Sequence, residues 1–217
     1  MNRRISYPLA VVTLAAGMGL ALSAQAQAEL KGHSHSAPQH SEKAAQAKDA
    51  LRDLWVGHVF WVRNVVVETL AGNNAAAKEA EGQVVANAKQ IAGAIEPYYG
   101  KAASEKLFGL LAGHYGAIKD YLAAKDKAGQ DAAWKKVAAN AEEISVFLSG
   151  ANPHLPIDTL RSLLLAHGGH HVQQIGQLRG KDYAGEAQTW DAMKQHMYVI
   201  ADALAGAIAK QFPAKFR

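Results

Sequence analysis

Three segments of this chain carry the same kind of apolar stripe, and each stripe is interrupted at its centre by a histidine. Leu51, Trp55, His58, Val62 and Val65 are spaced 4, 3, 4 and 3. Leu107, Leu111, His114, Ile118 and Tyr121 have the same spacing. Leu160, Leu164, His167, His171 and Ile175 keep it up to a final step of 4. Residues three and four apart share one face of an α-helix. A strand alternates with period two and could not bury such a set. The chain is therefore committed to helices.

Gly, Pro and capping residues punctuate the stripes and set the expected bounds. Ser41 is placed to cap a first helix that starts at Glu42 and ends near Gly72, with Asn73 and Asn74 as turn and next cap. A second helix is expected over about 75–95, with Val84, Val85, Ala88, Ile91 and Ile95 apolar, closed by Pro97 and Gly100. A third runs over about 102–126 and is broken by Gly129. A fourth, about 130–149, carries Trp134, Val137, Ile144 and Leu148. After a loop with Gly150, Pro153 and Pro156, a fifth runs over about 157–178, with Asp158 at its positive end. The sixth, about 184–212, carries Trp190, Met193, Met197, Ile200, Leu204 and Ile208 and stops at Pro213. The expectation is an all-α fold: an antiparallel helical bundle of five to six helices on a four-helix core, spanning 42–213.

The first 28 residues read as a secretory signal peptide. Arg3 and Arg4 open it, an apolar run follows from Pro8 to about Ala24, and A-x-A sites end at Ala26 or Ala28. A periplasmic or secreted location follows, with no stable membrane insertion after cleavage. Residues 29–41 form a polar, flexible arm with His33, His35 and His40, a composition that binds Cu(II) or Zn(II) loosely or serves only as a linker. Cleavage after Ala28 leaves 21 basic and 19 acidic residues, scattered among each other. That distribution argues against nucleic-acid binding. The chain has no cysteine. Thiol nucleophiles, Cys-ligated zinc, iron–sulfur clusters and covalent C-x-x-C-H haem are all excluded.

A buried imidazole without a partner is costly, and here three helices each place one at mid-stripe. If the first, third and fifth helices meet at one depth, His58, His114 and His167 converge. His171, one turn from His167, is the fourth candidate ligand. His170 points about 100° away from His171 and is assigned a peripheral role, and His196 lies near Met193. Met193 and Met197 are read chiefly as core filling, although thioethers suit Cu(I). Two other readings stand beside a metal site: independent, hydrogen-bonded histidines, and a non-covalent haem held by two of them. Gly168 and Gly169, inside the fifth helix, imply close approach by a metal, a haem or a neighbouring helix. Di-iron chemistry is disfavoured, because the inner stripes hold no glutamate and Glu143 lies off its stripe. No G-x-S-x-G, H-E-x-x-H, Walker or G-x-G-x-x-G motif occurs.

Four stretches carry a resemblance: LRDLWVGHVFWVRNVV at 51–66, PYYG at 97–100, ANAEEISVFLSGANP at 139–153 and IADALAGAIAKQFP at 200–213. Together they resemble a family of small bacterial helical proteins of unestablished function, common in spore-forming Gram-positives. Its members often carry borrowed names such as glycosyltransferase or acetylglutamate kinase. The resemblance covers about 51–213. It implies a histidine in the first, third and fifth helical segments, matched here by His58, His114 and His167. It implies no activity, and the borrowed enzyme names would need an α/β nucleotide site that a helical chain lacks.

The expected function is binding of a transition metal, copper or zinc, by His58, His114, His167 and His171. The role is storage, buffering or delivery rather than catalysis. The alternatives are a haem-binding bundle and a structural or partner-binding bundle without metal.

Overall fold

The computed structural model describes residues 39–217. Among them are six α-helices and a closing 3-10 turn, and no strand. The helices are α1 (Gln39–Leu70), α2 (Asn74–Tyr99), α3 (Lys101–Ala123), α4 (Lys127–Ala151), α5 (Ile157–Arg179) and α6 (Tyr183–Gln211), followed by the turn Pro213–Phe216. The expected signal peptide and residues 29–38 of the arm lie outside the described residues.

Each bound reflects local chemistry. α1 begins at Gln39, earlier than the expected cap at Ser41. Nothing between Gln39 and Gly57 interrupts a helix there, since no Gly or Pro intervenes. Asn73 caps α2 by accepting from the Ala76 amide at 3.4 Å. α2 continues through Pro97 to Tyr99, and Gly100 alone forms the corner, at φ 83°. A proline so near a C-terminus costs only one hydrogen bond, and the left-handed φ is what glycine supplies. Gly129 does not end the third helix. It lies in the first turn of α4, where its amide donates to the Asp126 cap at 2.8 Å. Asp182 caps α6 in the same way through the Gly185 amide at 2.9 Å.

Successive helices pack side by side, and α6 returns against α1, closing a ring. The short links reverse the chain each time, so α1, α3 and α5 run one way and α2, α4 and α6 the other. Inside the ring α5 also touches α1 and α3. The ring closes through two forked arginine–carboxylate pairs: Arg52 with Asp202 at 2.7 and 2.6 Å, and Arg63 with Glu186 at 2.6 and 2.7 Å. Glu186 is buried and also accepts from Gln174 of α5 at 3.0 Å.

The apolar core falls into two clusters. One holds Leu51, Trp55, Leu107, Leu111, Leu160, Leu164 and both Met193 and Met197. The other holds Val62, Val65, Ile118, Leu122, Val137 and Ile175. Along α1, α3 and α5 the residue between the two clusters is His58, His114 or His167. Val85, expected on the inner face of α2, is 41% exposed, and its neighbour Val84 is buried instead.

Candidate metal centre

All four expected ligands meet between the two apolar clusters. His58, His114, His167 and His171 are each 2–4% exposed. Each offers a ring nitrogen, and the four nitrogens lie within 4.8 Å of one another. Such a group can hold a metal ion. They converge because α1, α3 and α5 are parallel and pack together, so equal positions on their stripes fall at one depth. α5 contributes twice, through residues one turn apart.

The four ring centroids lie at the corners of a rough tetrahedron rather than in a plane. Ring centroids are separated by 6.2 Å for His58–His114 and 4.6 Å for the opposite edge, His167–His171. The other opposite edges are 5.7 Å (His58–His167) with 6.0 Å (His114–His171), and 6.0 Å (His58–His171) with 5.2 Å (His114–His167). In a square, one opposite pair would be two diagonals, both longer than every side by a factor of about 1.4. No pair here behaves so. Four nitrogens about 2.0 Å from a tetrahedral zinc lie about 3.3 Å apart, so the set must contract modestly to close on an ion.

Seven of the eight ring nitrogens are buried without a hydrogen-bond partner: both on His58, His114 and His167, and Nε2 of His171. Native interiors seldom leave such atoms unpaired. The reading of independent, hydrogen-bonded histidines is therefore not what this geometry favours. Burial, then the neighbouring His114, pushes His58 down to about 3. Burial also lowers His114 to about 4, opposed by the nearby Asn140 amide, although no hydrogen bond of normal geometry joins them. His167 and His171 are likewise held well below the ordinary histidine range by burial and then by the other imidazoles. All four are thus neutral near pH 7, the form that donates a lone pair to a metal.

The cavity beside the cluster is lined by Trp55, Leu111, Ile144 and Leu164 with three of the histidines, and measures about 10 Å³. That is room for one water or small ion. A porphyrin would have to lie between two opposed imidazoles, where the other two rings already stand. Gly168 serves a neighbouring helix instead: a Cβ there would come within 2.6 Å of Val137 on α4.

Two further features belong to this stratum and escape a helix-by-helix reading. The six helices form three successive hairpins that share sequence motifs. The odd helices share L-x-x-L-x-x-[GA]-H, ending at His58, His114 and His167. The even helices share [VM]-x-x-[NH]-[AM]-x-x-I, with Asn87, Asn140 and His196 at the polar position. That polar residue does one job in all three hairpins. Asn87 donates to the Leu54 carbonyl at 3.0 Å, Asn140 to that of Leu110 at 3.1 Å, and His196 Nε2 bonds that of Leu163 at 2.8 Å. Each carbonyl lies four residues before the central histidine. Gly57 and Gly113 clear the way, since a Cβ on either would meet the Asn Nδ2 at 3.1 or 3.2 Å. The Oδ1 atoms of Asn87 and Asn140 are buried and unpartnered. The sequence signal for all this was the hairpin-length repeat.

Compared with protein-family models, curated proteins and solved structures, the chain matches none.

Proposed function

We propose that this protein binds one zinc ion through His58, His114, His167 and His171, and acts outside the cytoplasm as a store, buffer or donor of that metal. The observation that carries the reading is the cluster of four buried imidazoles, each with a ring nitrogen within 4.8 Å of the others, seven of whose eight nitrogens have no hydrogen-bond partner. Tetrahedral nitrogen coordination suits Zn(II), whereas Cu(II) prefers tetragonal sites. Cu(I) favours sulfur, and Met193 and Met197 are packed in the apolar cluster. Four protein ligands leave no open position for substrate, which favours holding over catalysis. The extracytoplasmic setting rests on the signal-peptide reading of residues 1–28. Among the described residues no helix is long and apolar enough to cross a membrane.

The test is metal analysis of the full chain purified without a histidine tag, followed by Co(II) substitution. One equivalent per chain is expected, with the intense visible absorption of tetrahedral Co(II). His58→Ala and His114→Ala should each remove both signals. Unchanged stoichiometry in both variants, or a pale octahedral spectrum in the native chain, would sink the proposal.

A further inference from the structure

The buried tetrad raises a problem of access, and the third hairpin holds the answer. Where the first two hairpins carry Trp61 and Ala117, the third carries His170. Where they carry Val62 and Ile118, it carries His171. Where they carry Asn87 and Asn140, it carries His196. At these aligned positions, every histidine added to the repeat's single one is therefore in this hairpin, while His40 and His154 lie outside the shared motifs. His171 completes the tetrad. His170 and His196 pair with each other, ring centroids 5.4 Å apart, within the 4.6–6.2 Å range found inside the tetrad. Both are half-buried, unlike the tetrad.

The His196 bond also fixes its tautomer. The Leu163 carbonyl can only accept, so Nε2 is the donor in this bond and Nδ1 is the nitrogen left to offer a lone pair to a metal. A histidine tied to a backbone carbonyl through one nitrogen, with the other bare, is arranged as metal ligands commonly are. Asn at the same place leaves only an amide oxygen. His170 adjoins His171 in sequence, and His196 bonds the Leu163 carbonyl, four residues before His167 on the same helix.

We infer that His170 and His196 form a surface loading port, a two-nitrogen zinc site that passes the ion by ligand exchange to His171 and His167. The hinge for that passage is Gly168-Gly169. Glycine weakens a helix locally, and Gly169 has no neighbour within 4 Å of a Cβ position, so no packing demand explains it. This inference rests on the tetrad being a zinc site.

The experiment is stopped-flow zinc loading of the full chain, and its reverse into a chromophoric chelator, with Zn(II) alone as the probe. The variants are H170Q/H196Q and, as a separate arm, Gly169→Ala, which adds a methyl group into open space. A port speeds both directions alike. The double variant should load and release at least tenfold more slowly, with equilibrium affinity within threefold of the native chain. Gly169→Ala should slow both by about threefold. Native rates in both variants would overturn the port while leaving the tetrad intact. A fall in affinity with unchanged loading rate would overturn it too, by making the pair part of the resting site. Failure of the native chain to bind zinc removes the proposed function and the port together.

Discussion

Lowering the pH should unfold the metal-free protein well before it protonates a typical helical bundle's carboxylates. The four buried imidazoles set the magnitude. His58 and His114 are depressed to about 3 and about 4, and His167 and His171 lie well below the ordinary value of 6.5. A depressed histidine contributes stability that is fully present above pH 6.5. It is lost as pH falls towards the folded value, because the unfolded chain takes the proton first. Between pH 7 and 5 each such group costs about 2 kcal/mol. Four together cost about 8 kcal/mol, against a total domain stability of about 5–15 kcal/mol. Near pH 5.5 the unfolded state binds between three and four more protons than the folded one, so stability falls by about 5 kcal/mol per pH unit.

The assay is urea unfolding of metal-free protein at several pH values from 7.5 to 5, followed by helical circular dichroism. Bound zinc should move the acid collapse to lower pH, because protons must then displace the metal. His58→Phe, an apolar ring of similar size, should reduce the slope by about a quarter. A slope below about 2 kcal/mol per pH unit near 5.5 would refute the reasoning, since the imidazoles could not then be neutral and sealed in the folded state.

Other outcomes follow from particular contacts. Gly168→Ala should cost about 1–3 kcal/mol, the usual scale of overpacking, because its methyl would press on Val137; Val137→Ala in the same chain should recover part of that in thermal denaturation. Glu186→Gln should cost about 2 kcal/mol, less than a fully buried pair, because the Arg63 side chain is 34% exposed; unfolding by guanidinium measures it. Asn140→Ala should cost about 1 kcal/mol, the scale of one lost hydrogen bond, because the Asn140 amide donates to the Leu110 carbonyl; Asn140→Asp, whose carboxylate cannot donate, should not recover it in thermal denaturation. His171→Val makes the third hairpin match the other two and leaves three imidazoles, so the bound zinc should be lost on purification as in His58→Ala and His114→Ala, which metal analysis reads.

The helices were legible because 3.6-residue periodicity and Gly/Pro punctuation both operate within a single helix. The ends that shifted are those where one residue admits two readings. Gly129 breaks a helix in its interior yet is welcome in a first turn beside the Asp126 cap. Pro97 stops a helix at mid-length and not in its last turn. His58, His114, His167 and His171 were legible as polar interruptions of apolar stripes. Asn87 and Asn140 were not, because an asparagine on a helix stripe is ordinary until its partner is known to be the carbonyl before a central histidine. Glu186 stands in a first turn, where an acid is ordinarily solvated. Its burial depends on Arg63 and Gln174, which are brought to it by two other helices.

The position of the tetrad between two apolar clusters bears on what the metal does for the fold. In small zinc domains the ion replaces a core, and the metal-free chain is unfolded. Here Leu51, Trp55, Leu107 and Leu164 pack on one side and Val62, Ile118 and Ile175 on the other. Neutral imidazoles let the two clusters meet at pH 7 with no charge between them. An ion bound there brings two positive charges into a site whose four ligands include no carboxylate, so it is held by lone pairs alone and against a desolvation penalty. An apolar core on both sides of the site, and four ligands that carry no charge, are what the proposed exchange of the ion would need. His170 and His196 on the third hairpin, half-buried and paired with each other, are the groups through which we propose it runs.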